Sequence, residues 1–420
     1  MNRIALCALF CLMVSACVKQ PGKLSFMVGG APNEMAYWEE IVADFEKKHG
    51  TDVEIIRSAT QTEQRKQAML IALRGRKADP DVMLMDVAWV GQMAASNWLE
   101  PLPPLGLDPA PFYRRVINQA DTWNDRVIGL PVYVDGGLLY YRKDLLDTYG
   151  YDAPPRTWEE LIAMSQKIQT AERAANPDFC GFVWQGAQYE GLICTALEFF
   201  VSAGGGFLTR DGASMLDSEA NQTALQCMVD LIHKYNVSPP NTYTDMKEEE
   251  VRHVFQQGNA LFERNWPYAW GLHQQDGSAV KGKTALAPLP HFEGETSAAT
   301  LGGWHVALSK FSDRKEQAAQ FIKYITSYGI QKKLALKLGW NPGRRDVYDD
   351  EELVAGNPQL PALKPVFENA VSRPAVPYYS QLSLAMQKHF NAALAGTISP
   401  KAALAKAHAE VRSIIADNTQ

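Results

Sequence analysis

The sequence predicts an α/β protein of two domains that are joined by an extended crossing. Short apolar runs of strand length alternate with segments whose apolar residues recur at helical spacing, which is typical of α/β folds. With 420 residues, the chain is longer than a single hydrophobic core usually supports. The stretch 130–146 joins the two α/β regions without a Pro-, Ser- or Gly-rich linker, so we expect a hinge there.

Composition and charge are those of an ordered globular protein. Hydrophobic residues make up 46% of the chain and charged residues 21%. The formal net charge is -6, and the Lys and Arg residues are dispersed along the sequence. Because nucleic-acid binding needs a basic surface, we expect no nucleic-acid partner.

The N-terminus has the pattern of a secretory signal that ends in a cysteine. A basic start and an apolar run from Ile4 to Met13 precede the small-residue site Val14-Ser-Ala-Cys17. This site resembles a bacterial lipobox, which implies removal of residues 1–16, a lipid on Cys17 and a tether over residues 17–22. An ordinary cleaved signal peptide is the alternative. No later segment reaches ~18 uninterrupted apolar residues, so we expect a soluble mature chain that is held to a membrane only by lipid.

The remaining cysteines suggest neither a metal site nor a fixed disulfide. Cys180, Cys194 and Cys227 are odd in number, which allows at most one bridge and leaves the pairing open. The sequence has no C-x-x-C and no Cys/His spacing typical of zinc. We therefore expect no metal and no cofactor.

The first region reads as repeated strand–loop–helix units. We predict strands at 23–28, 52–57 and 82–85. We also predict one helix that begins after an N-cap at Asn33 and a second helix over 62–74. In open α/β sheets, ligands collect beyond the carboxyl ends of the strands. Polar residues follow each strand, so we expect them to converge, although each alone could be a helix cap or a solvated loop residue. They are Glu34, Ser58 to Gln61, and Asp86.

The predicted crossing carries a pair of residues suited to a sugar. Tyr133 and Asp135 lie two positions apart, which places both side chains on one face of an extended chain. The ring offers an apolar plane to C–H groups, and the carboxylate accepts charge-assisted hydrogen bonds from hydroxyls. The alternative is a half-buried strand with one solvated aspartate.

The second region again alternates strand and helix patterns, after which the chain is expected to return to the first domain. A capping box at Thr157-Trp-Glu-Glu160 opens a helix, and the acidic run 248–250 is predicted to be a solvated helix start. The strand pattern resumes at Leu301 to Leu308, after which the chain is expected back in the first domain. The later pattern is helical, with segments at Leu360 to Val371, Gln381 to Leu394, and Pro400 to Ile415.

A set of motifs resembles the extracellular solute-binding proteins of sugar ABC transporters, especially their trehalose/maltose-binding branch. The motifs occur in the family's order and cover essentially the whole mature chain. They are the lipobox, Asn33-Glu34, Pro80 to Asp86, Gly129 to Asp135, Leu139 to Asp144, Gln185 to Gly191, Asn265 to Tyr268, Leu301 to Trp304, and Ser372-Arg-Pro374.

The resemblance implies a two-lobed periplasmic-binding-protein-like fold of class II type, with a hinge and a helical C-terminal segment. Lobe 1 would comprise 23–133 and 288–339, and lobe 2 would comprise 137–286 and 340–420. The hinge crossings would lie at 134–136, about 287 and about 340. It also implies a monomer that works with ABC permease subunits and is anchored in the bacterial cell envelope, facing the periplasm or the exterior.

The resemblance also implies a set of ligand residues. Four would meet sugar hydroxyls, three rings would stack, and two glycines would let the backbone approach the ligand. The hydroxyl-binding residues would be Glu34, Asp86, Asp135 and Arg373. The stacking rings would be Tyr133, Trp266 and Trp304, and the glycines are Gly302 and Gly303. Weaker candidates are Gln61, Glu190 and Tyr268. His305 should point away from the site because it follows Trp304 in a strand.

An enzyme is the main alternative class, since the predicted carboxylates could include the acid and nucleophile of a glycosidase. The sequence shows no nucleophile elbow, P-loop, Rossmann glycine fingerprint or His-rich metal motif. An anionic ligand would need more arginine than Arg373. We therefore predict a non-enzymatic protein that captures an α-linked disaccharide of the trehalose or maltose type. Another oligosaccharide or sugar derivative is the alternative ligand.

Overall fold

The computed structural model describes residues 22–357 and 360–419. Strands β1–β11 are, in chain order, Leu24–Gly29, Val53–Ser58, Val82–Asp86, Thr122–Trp123, Arg126–Val127, Leu130–Gly136, Leu138–Arg142, Cys180–Val183, Ala260–Asn265, Thr284–Ala287 and Leu301–Leu308. Helices α1–α16 are Pro32–His49, Thr62–Arg74, Val90–Ala95, Arg114–Val116, Lys143–Thr148, Trp158–Glu172, Glu190–Val201, Glu219–His233, Glu248–Gln256, Ala269–His273, Lys315–Ile325, Tyr328–Leu338, Glu351–Gly356, Leu360–Asn369, Tyr379–Leu394 and Pro400–Thr419. Short 3₁₀ helices lie at Val87–Trp89, Pro103–Leu105 and Arg345–Asp349, and a π-helical turn lies at Ile117–Asp121.

The strands form two main sheets, one in each lobe, which confirms the predicted α/β class. The first sheet has the order β2-β1-β3-β11-β6, and the second has the order β10-β7-β9-β8. Strands β1, β2 and β3 are parallel, whereas β11 runs antiparallel to both of its neighbours. The first sheet is mixed because β11 enters it from the other lobe and not through a crossover helix.

The first crossing between the lobes is short and extended. Strand β6 ends at Gly136 in the first sheet, and β7 starts at Leu138 in the second. Gly137 lies between them. The change of sheet therefore occurs immediately after the predicted residues 134–136.

The second crossing lies later than the predicted position of about 287. After β10, His291 pairs with Thr157, and the Phe292 N–H donates to the Ser202 carbonyl. These partners belong to the second lobe, so the chain stays there until about Thr300. The sequence prediction placed this return too early because prolines that end a strand do not show which lobe the next loop contacts.

The third crossing also differs from its predicted position of about 340. Residue Pro342 bridges Tyr133 on β6, and α14 packs against α4 and β6 of the first lobe. The chain leaves that lobe after Val371, whose backbone pairs with Thr300. The assignment of all of 340–420 to lobe 2 is therefore wrong for the part before Val371, whereas α15 and α16 do pack on α7 and α8.

The cores follow from alternation along the strands. In the first lobe, Phe26 faces one apolar cluster and Met27 faces the cluster on the other side of the sheet. Both faces are covered, which is why β1 and β3 read as continuous apolar runs. In the second lobe, Trp158 stacks on Phe199 with ring centroids 3.8 Å apart. A further cluster joins the lobes and includes Val134 and Leu138 on either side of the first crossing.

Cys180, Cys194 and Cys227 are all free thiols in the part of the chain that the structure describes. Burial raises the pKa of the Cys180 and Cys194 thiols to about 12. Among residues 22–357 and 360–419, no helix combines the length and the apolar character that a bilayer crossing requires. The predicted signal peptide and Cys17 lie outside the described residues.

Candidate functional site

Trp304 on β11 is the centre of the candidate site. Its register pairs it with Asp86 on β3 and with Tyr133 on β6. Directly paired residues point to the same face of a sheet, so these three side chains share one face at the edge where β3 ends. Two residues earlier, Gly302 pairs with Asp135. The structure thus brings the predicted residues of three strands together.

The two aspartates of this edge differ in their surroundings. Asp86 is the last residue of β3, and its Oδ1 accepts the Ala88 N–H at 2.8 Å, which caps the short helix that follows. Burial raises the pKa of Asp135 to about 7, and the nearby Asp86 carboxylate adds to the rise, although the Asn341 side chain opposes it. Asp135 therefore changes its charge near neutral pH.

Glu34 combines a capping role with its place beside the site. Helix α1 begins at Pro32, and the N-cap is Ala31 and not the predicted Asn33. The Glu34 Oε2 accepts the Ala31 N–H at 2.8 Å. Burial raises the pKa of Glu34 against the lowering effects of that hydrogen bond and of Arg65. The helix starts earlier than predicted because Pro32 suits the first helical position and Glu34 reaches back to the cap.

Arg373 connects carboxylates from both lobes. Its Nη2 lies 3.3 Å from Asp86 Oδ1, and its Nη1 lies 2.9 Å from Glu190 Oε1 at the start of α7. The Arg373 residue is only 6% exposed. Glu190 also accepts hydrogen bonds from the hydroxyls of Tyr379 and Ser383 on α15. A long-range bridge therefore crosses from the first sheet to the second lobe.

The predicted aromatic platforms each have a packed neighbour. Trp304 meets Trp89 edge-on at 5.3 Å, and Tyr133 packs on Trp340 with centroids 4.1 Å apart. Trp266 lies in the second lobe, where its Nε1 is 3.5 Å from Glu248 Oε1. These contacts fix the ring orientations before any ligand arrives.

The glycines on β11 make room for protein groups. A Cβ on Gly302 would lie 2.9 Å from Cζ3 of Trp266, so the glycine lets this ring of the second lobe approach the first sheet. Gly303 has a φ of +114°, and a Cβ there would overlap the Tyr133 carbonyl oxygen. The register of β11 then shifts between Trp304 and His305. A register shift of this kind is an irregularity such as a β-bulge, which locally bends and twists a strand.

Three further predictions concern residues around this centre. Gln61 is exposed at the N-cap position of α2. The Tyr268 hydroxyl donates to Glu249 Oε1 at 2.6 Å. His305 is fully buried with its Nδ1 2.6 Å from Asp121 Oδ1, which confirms that it points away from the site.

Comparisons with known proteins decide the family. The family model for bacterial extracellular solute-binding proteins matches residues 29–332. The chain belongs to this family. A relative in Deinococcus radiodurans, a probable ABC transporter-binding protein, is 37% identical over 361 residues, which cover 85% of this chain and 84% of the relative.

Two solved structures extend the comparison of this solute-binding protein. Maltose-bound MalE3 of T. maritima is 39% identical with a TM-score of 0.85, over 93% of this chain and 99% of that one. A Thermotoga lettingae ABC transporter solute-binding protein, bound with α-D-tagatose, is 28% identical with a TM-score of 0.82, over 94% and 100% of the two chains. The predicted resemblance is confirmed, and this solute-binding protein is a transport component and not a glycosidase.

Sequence reasoning missed two basic residues of this solute-binding protein. Arg65 on α2 lies over the Trp304 ring at 4.1 Å and donates to the Ala59 carbonyl at 3.1 Å. Its neighbour Lys66 donates to Ser380 Oγ at the start of α15, across the gap between the lobes. Both residues occupy buried positions of α2 together with Met69. Basic residues at apolar positions of a helical pattern were the signal that could have revealed them.

Proposed function

We propose that this protein captures a sugar between its two lobes and delivers it to the permease subunits of an ABC importer. The observation that carries the proposal is the register of Trp304 between Asp86 and Tyr133, which sets a ring among hydrogen-bonding groups. Sugar rings present C–H faces to aromatic planes and hydroxyls to carboxylates. Asp135 and Arg373 add an acceptor and a donor beside that ring.

The charges support a neutral ligand. In the described part of the chain, the basic groups near the site include Arg65, Lys66, Arg264 and Arg373, and the acidic groups include Glu34, Glu63, Asp86, Asp135, Glu190 and Glu198. Arg264 and Arg373 are ion-paired with carboxylates, and nearby carboxylates also attract Arg65 and Lys66, so little positive charge is left for a phosphate or carboxylate ligand. A polyhydroxylated neutral molecule can use both donors and acceptors without leaving a buried charge unpaired.

The ligand proposed is an α-linked disaccharide of the maltose or trehalose type. MalE3 of T. maritima, which is 39% identical to this chain, is bound to maltose, and this supports the proposed ligand. Another oligosaccharide or a sugar derivative is the second candidate, and the α-D-tagatose in the 28% identical neighbour favours it.

Calorimetric titration of the protein with maltose, trehalose, sucrose, glucose and tagatose tests the proposal. We expect saturable binding of maltose or trehalose, and much weaker binding of the monosaccharides because one ring can meet only part of the site. Saturable binding of tagatose alone would favour the second candidate. No binding to any of the five sugars would contradict the sugar proposal.

Trp304→Ala provides a site control for this titration. The loss of a stacking platform should weaken binding of the cognate sugar by about 1–3 kcal/mol. Trp270→Ala on the short helix α10 should leave the affinity unchanged. Equal affinity in wild type and Trp304→Ala would remove the ring from the site.

We further propose that the protein is a monomer, anchored by a lipid on Cys17 and facing the periplasm or the cell exterior. The sequence Val14-Ser-Ala-Cys17 supports this anchoring. We expect intact-mass analysis of the mature protein to show an acyl mass at residue 17, and Cys17→Ser to abolish it. A mature N-terminus without that mass would contradict the anchor.

The lobe boundaries proposed follow the packing described above. Lobe 1 comprises residues 22–136, 301–357 and 360–371, and lobe 2 comprises residues 138–299 and 372–419. Asp86 and Trp304 then belong to one lobe, and Glu190 and Trp266 belong to the other. A ligand that contacts both pairs would favour a closed arrangement, because those contacts exist together only when the lobes approach.

A further inference from the structure

A fully buried ion pair lies where the chain passes between the lobes. Arg264 on β9 donates to Glu198 on α7 through Nε at 2.8 Å and through Nη2 at 2.5 Å. Both side chains are 1% exposed. A two-bond arginine–carboxylate pair has a fixed planar geometry, so it constrains whatever it touches. Since removal of two charges from water offsets much of their attraction, stability alone is a weak reason for such a pair.

Glu198 of this pair is in contact with the crossings. Its Oε1 accepts the Thr300 N–H at 3.1 Å, at the point where the chain enters β11. Thr300 pairs with Val371, the residue after which the chain leaves the first lobe. A Cβ on Gly137, in the first crossing, would overlap Glu198 Oε1 and lie 2.8 Å from Arg264 Nη2. The pair therefore touches two crossings directly and the third through Thr300.

Arg264 of the same pair also supports Trp266. Its Cζ lies 4.1 Å from the centroid of the Trp266 ring, which is the geometry of a cation–π contact. Its Nη1 donates to Gln185 Oε1 at 3.2 Å. Because all three nitrogens of the Arg264 guanidinium are hydrogen-bonded, the group cannot turn away from Trp266. The guanidinium therefore covers one face of the Trp266 ring.

We propose that the Glu198–Arg264 pair is a positioning element that sets the angle between the lobes and holds Trp266 in its ligand-binding orientation. The part that concerns Trp266 rests on the proposed sugar-binding function. The part that concerns the lobes rests only on the contacts with Gly137 and Thr300 and on the pairing of Thr300 with Val371. The two parts can therefore be measured separately.

The main test replaces the pair by neutral side chains in the full chain. The double variant Glu198→Gln/Arg264→Met leaves no uncompensated charge, so its melting temperature should stay close to that of wild type. Maltose binding, measured by calorimetry, should weaken about tenfold because Trp266 loses its backing guanidinium. The tryptophan emission of the ligand-free double variant should also differ from that of the ligand-free wild type. A double variant with wild-type maltose affinity and emission would overturn the role assigned for Trp266.

The interlobe angle is read by spin labels that need no ligand. Ile71 on α2 is 72% exposed and Leu384 on α15 is 64% exposed, and each belongs to a different lobe. Cysteines at these two positions, in a Cys227→Ala background, carry the labels. We expect the double variant to broaden or shift the distance distribution between them. An unchanged distribution would overturn the role at the hinge.

Gly137→Ala keeps the proposal testable if the double variant does not fold. The added methyl group would displace Glu198 or the crossing itself, so the label distance should shift and maltose binding should weaken. Gly271→Ala is the matched control, since no atom lies within 4 Å of its added Cβ. Identical behaviour of the two variants would overturn the proposal. If wild type bound no sugar of the panel, the sugar proposal would fail, whereas the label distances would still decide the role at the hinge.

Discussion

Arg373 holds one carboxylate from each lobe, and its value to the protein depends on geometry as much as on charge. Asp86 and Glu190 meet different nitrogens of the guanidinium. A lysine ammonium is a point charge on a flexible stem and cannot hold the two carboxylates in one plane. The structure therefore distinguishes this residue from an ordinary surface arginine.

We predict that Arg373→Lys weakens sugar binding nearly as much as Arg373→Ala, by roughly 1.5–3 kcal/mol in each case. Arg57→Lys serves as the control, because the Arg57 side chain is 62% exposed and the change should leave the affinity unaltered. Calorimetric titration measures all three variants. Full affinity in Arg373→Lys would show that the planar fork is irrelevant.

Asp135 should make stability depend on pH. Burial raises its pKa from 3.8 to about 7. The folded protein therefore keeps this proton up to about pH 7, whereas the unfolded chain loses it above about pH 4. The stabilising contribution of this proton is fully present below about pH 4 and is lost as the pH rises through about 7.

Asp135→Asn isolates this contribution because an amide does not titrate. We predict that the free energy of unfolding of Asp135→Asn, relative to wild type, rises between about pH 4 and pH 7 and is level above that range. Urea unfolding at a series of pH values measures it. A pH-independent difference for Asp135→Asn would mean that the carboxyl is charged throughout.

At the level of elements, helix α6 shows how a local signal acts without a ligand. The Glu160 N–H donates to Thr157 Oγ1 at 3.2 Å, and Glu160 Oε2 accepts the Thr157 N–H at 3.3 Å. The predicted capping box is therefore present. Because the helix packs in the core of the second lobe, its start affects the stability of that lobe.

We predict that Thr157→Ala lowers the free energy of unfolding by about 1 kcal/mol through loss of the cap. The sugar affinity should not change, since Thr157 lies outside the site. Thr170→Ala, at an exposed position of the same helix, should be nearly neutral because alanine is a good helix former. Chemical denaturation and calorimetry give the two readouts. A loss of affinity in Thr157→Ala would connect this helix to the ligand.

At the level of the whole molecule, the candidate site is divided between the lobes. Trp304 lies on β11 of the first sheet, and Trp266 directly follows β9 of the second sheet. Arg373 and Lys66 make contacts between the lobes. A ligand that contacts both sides is expected to shift the population towards the closed arrangement. The same contacts should stabilise the fold by mass action.

We predict that the cognate sugar shifts tryptophan emission, reduces the radius of gyration and raises the melting temperature. The stabilisation should reach about 2.7 kcal/mol at a hundredfold excess over the dissociation constant. Solution scattering and thermal unfolding, with and without sugar, measure these effects. A sugar that binds without any change in the scattering curve would contradict closure of the lobes.

The sequence by itself determined most of the helices and strands, and it located the candidate site at the edge where β3 ends. Helix α2 was predicted at its observed bounds, and β3 differs by only one residue, because apolar periodicity directly reports which face of an element is buried. Asp86 was placed at the end of β3 for the same reason. Tyr133 and Asp135 follow from the two-residue period of a strand. The family resemblance supplied Glu190, Arg373, Trp266 and Trp304, which no local pattern identifies as neighbours.

Only the tertiary structure decided which lobe each late segment joins and which groups meet across the gap. The apolar pattern of α14 would allow the helix to pack against either lobe. Its sequence does not show that the observed partner is β6. The Glu198–Arg264 pair is 66 residues apart in the chain, and the Arg65–Trp304 contact joins opposite ends of lobe 1. Local patterns record the burial of a residue, whereas its partner is set by the packing of elements distant in sequence.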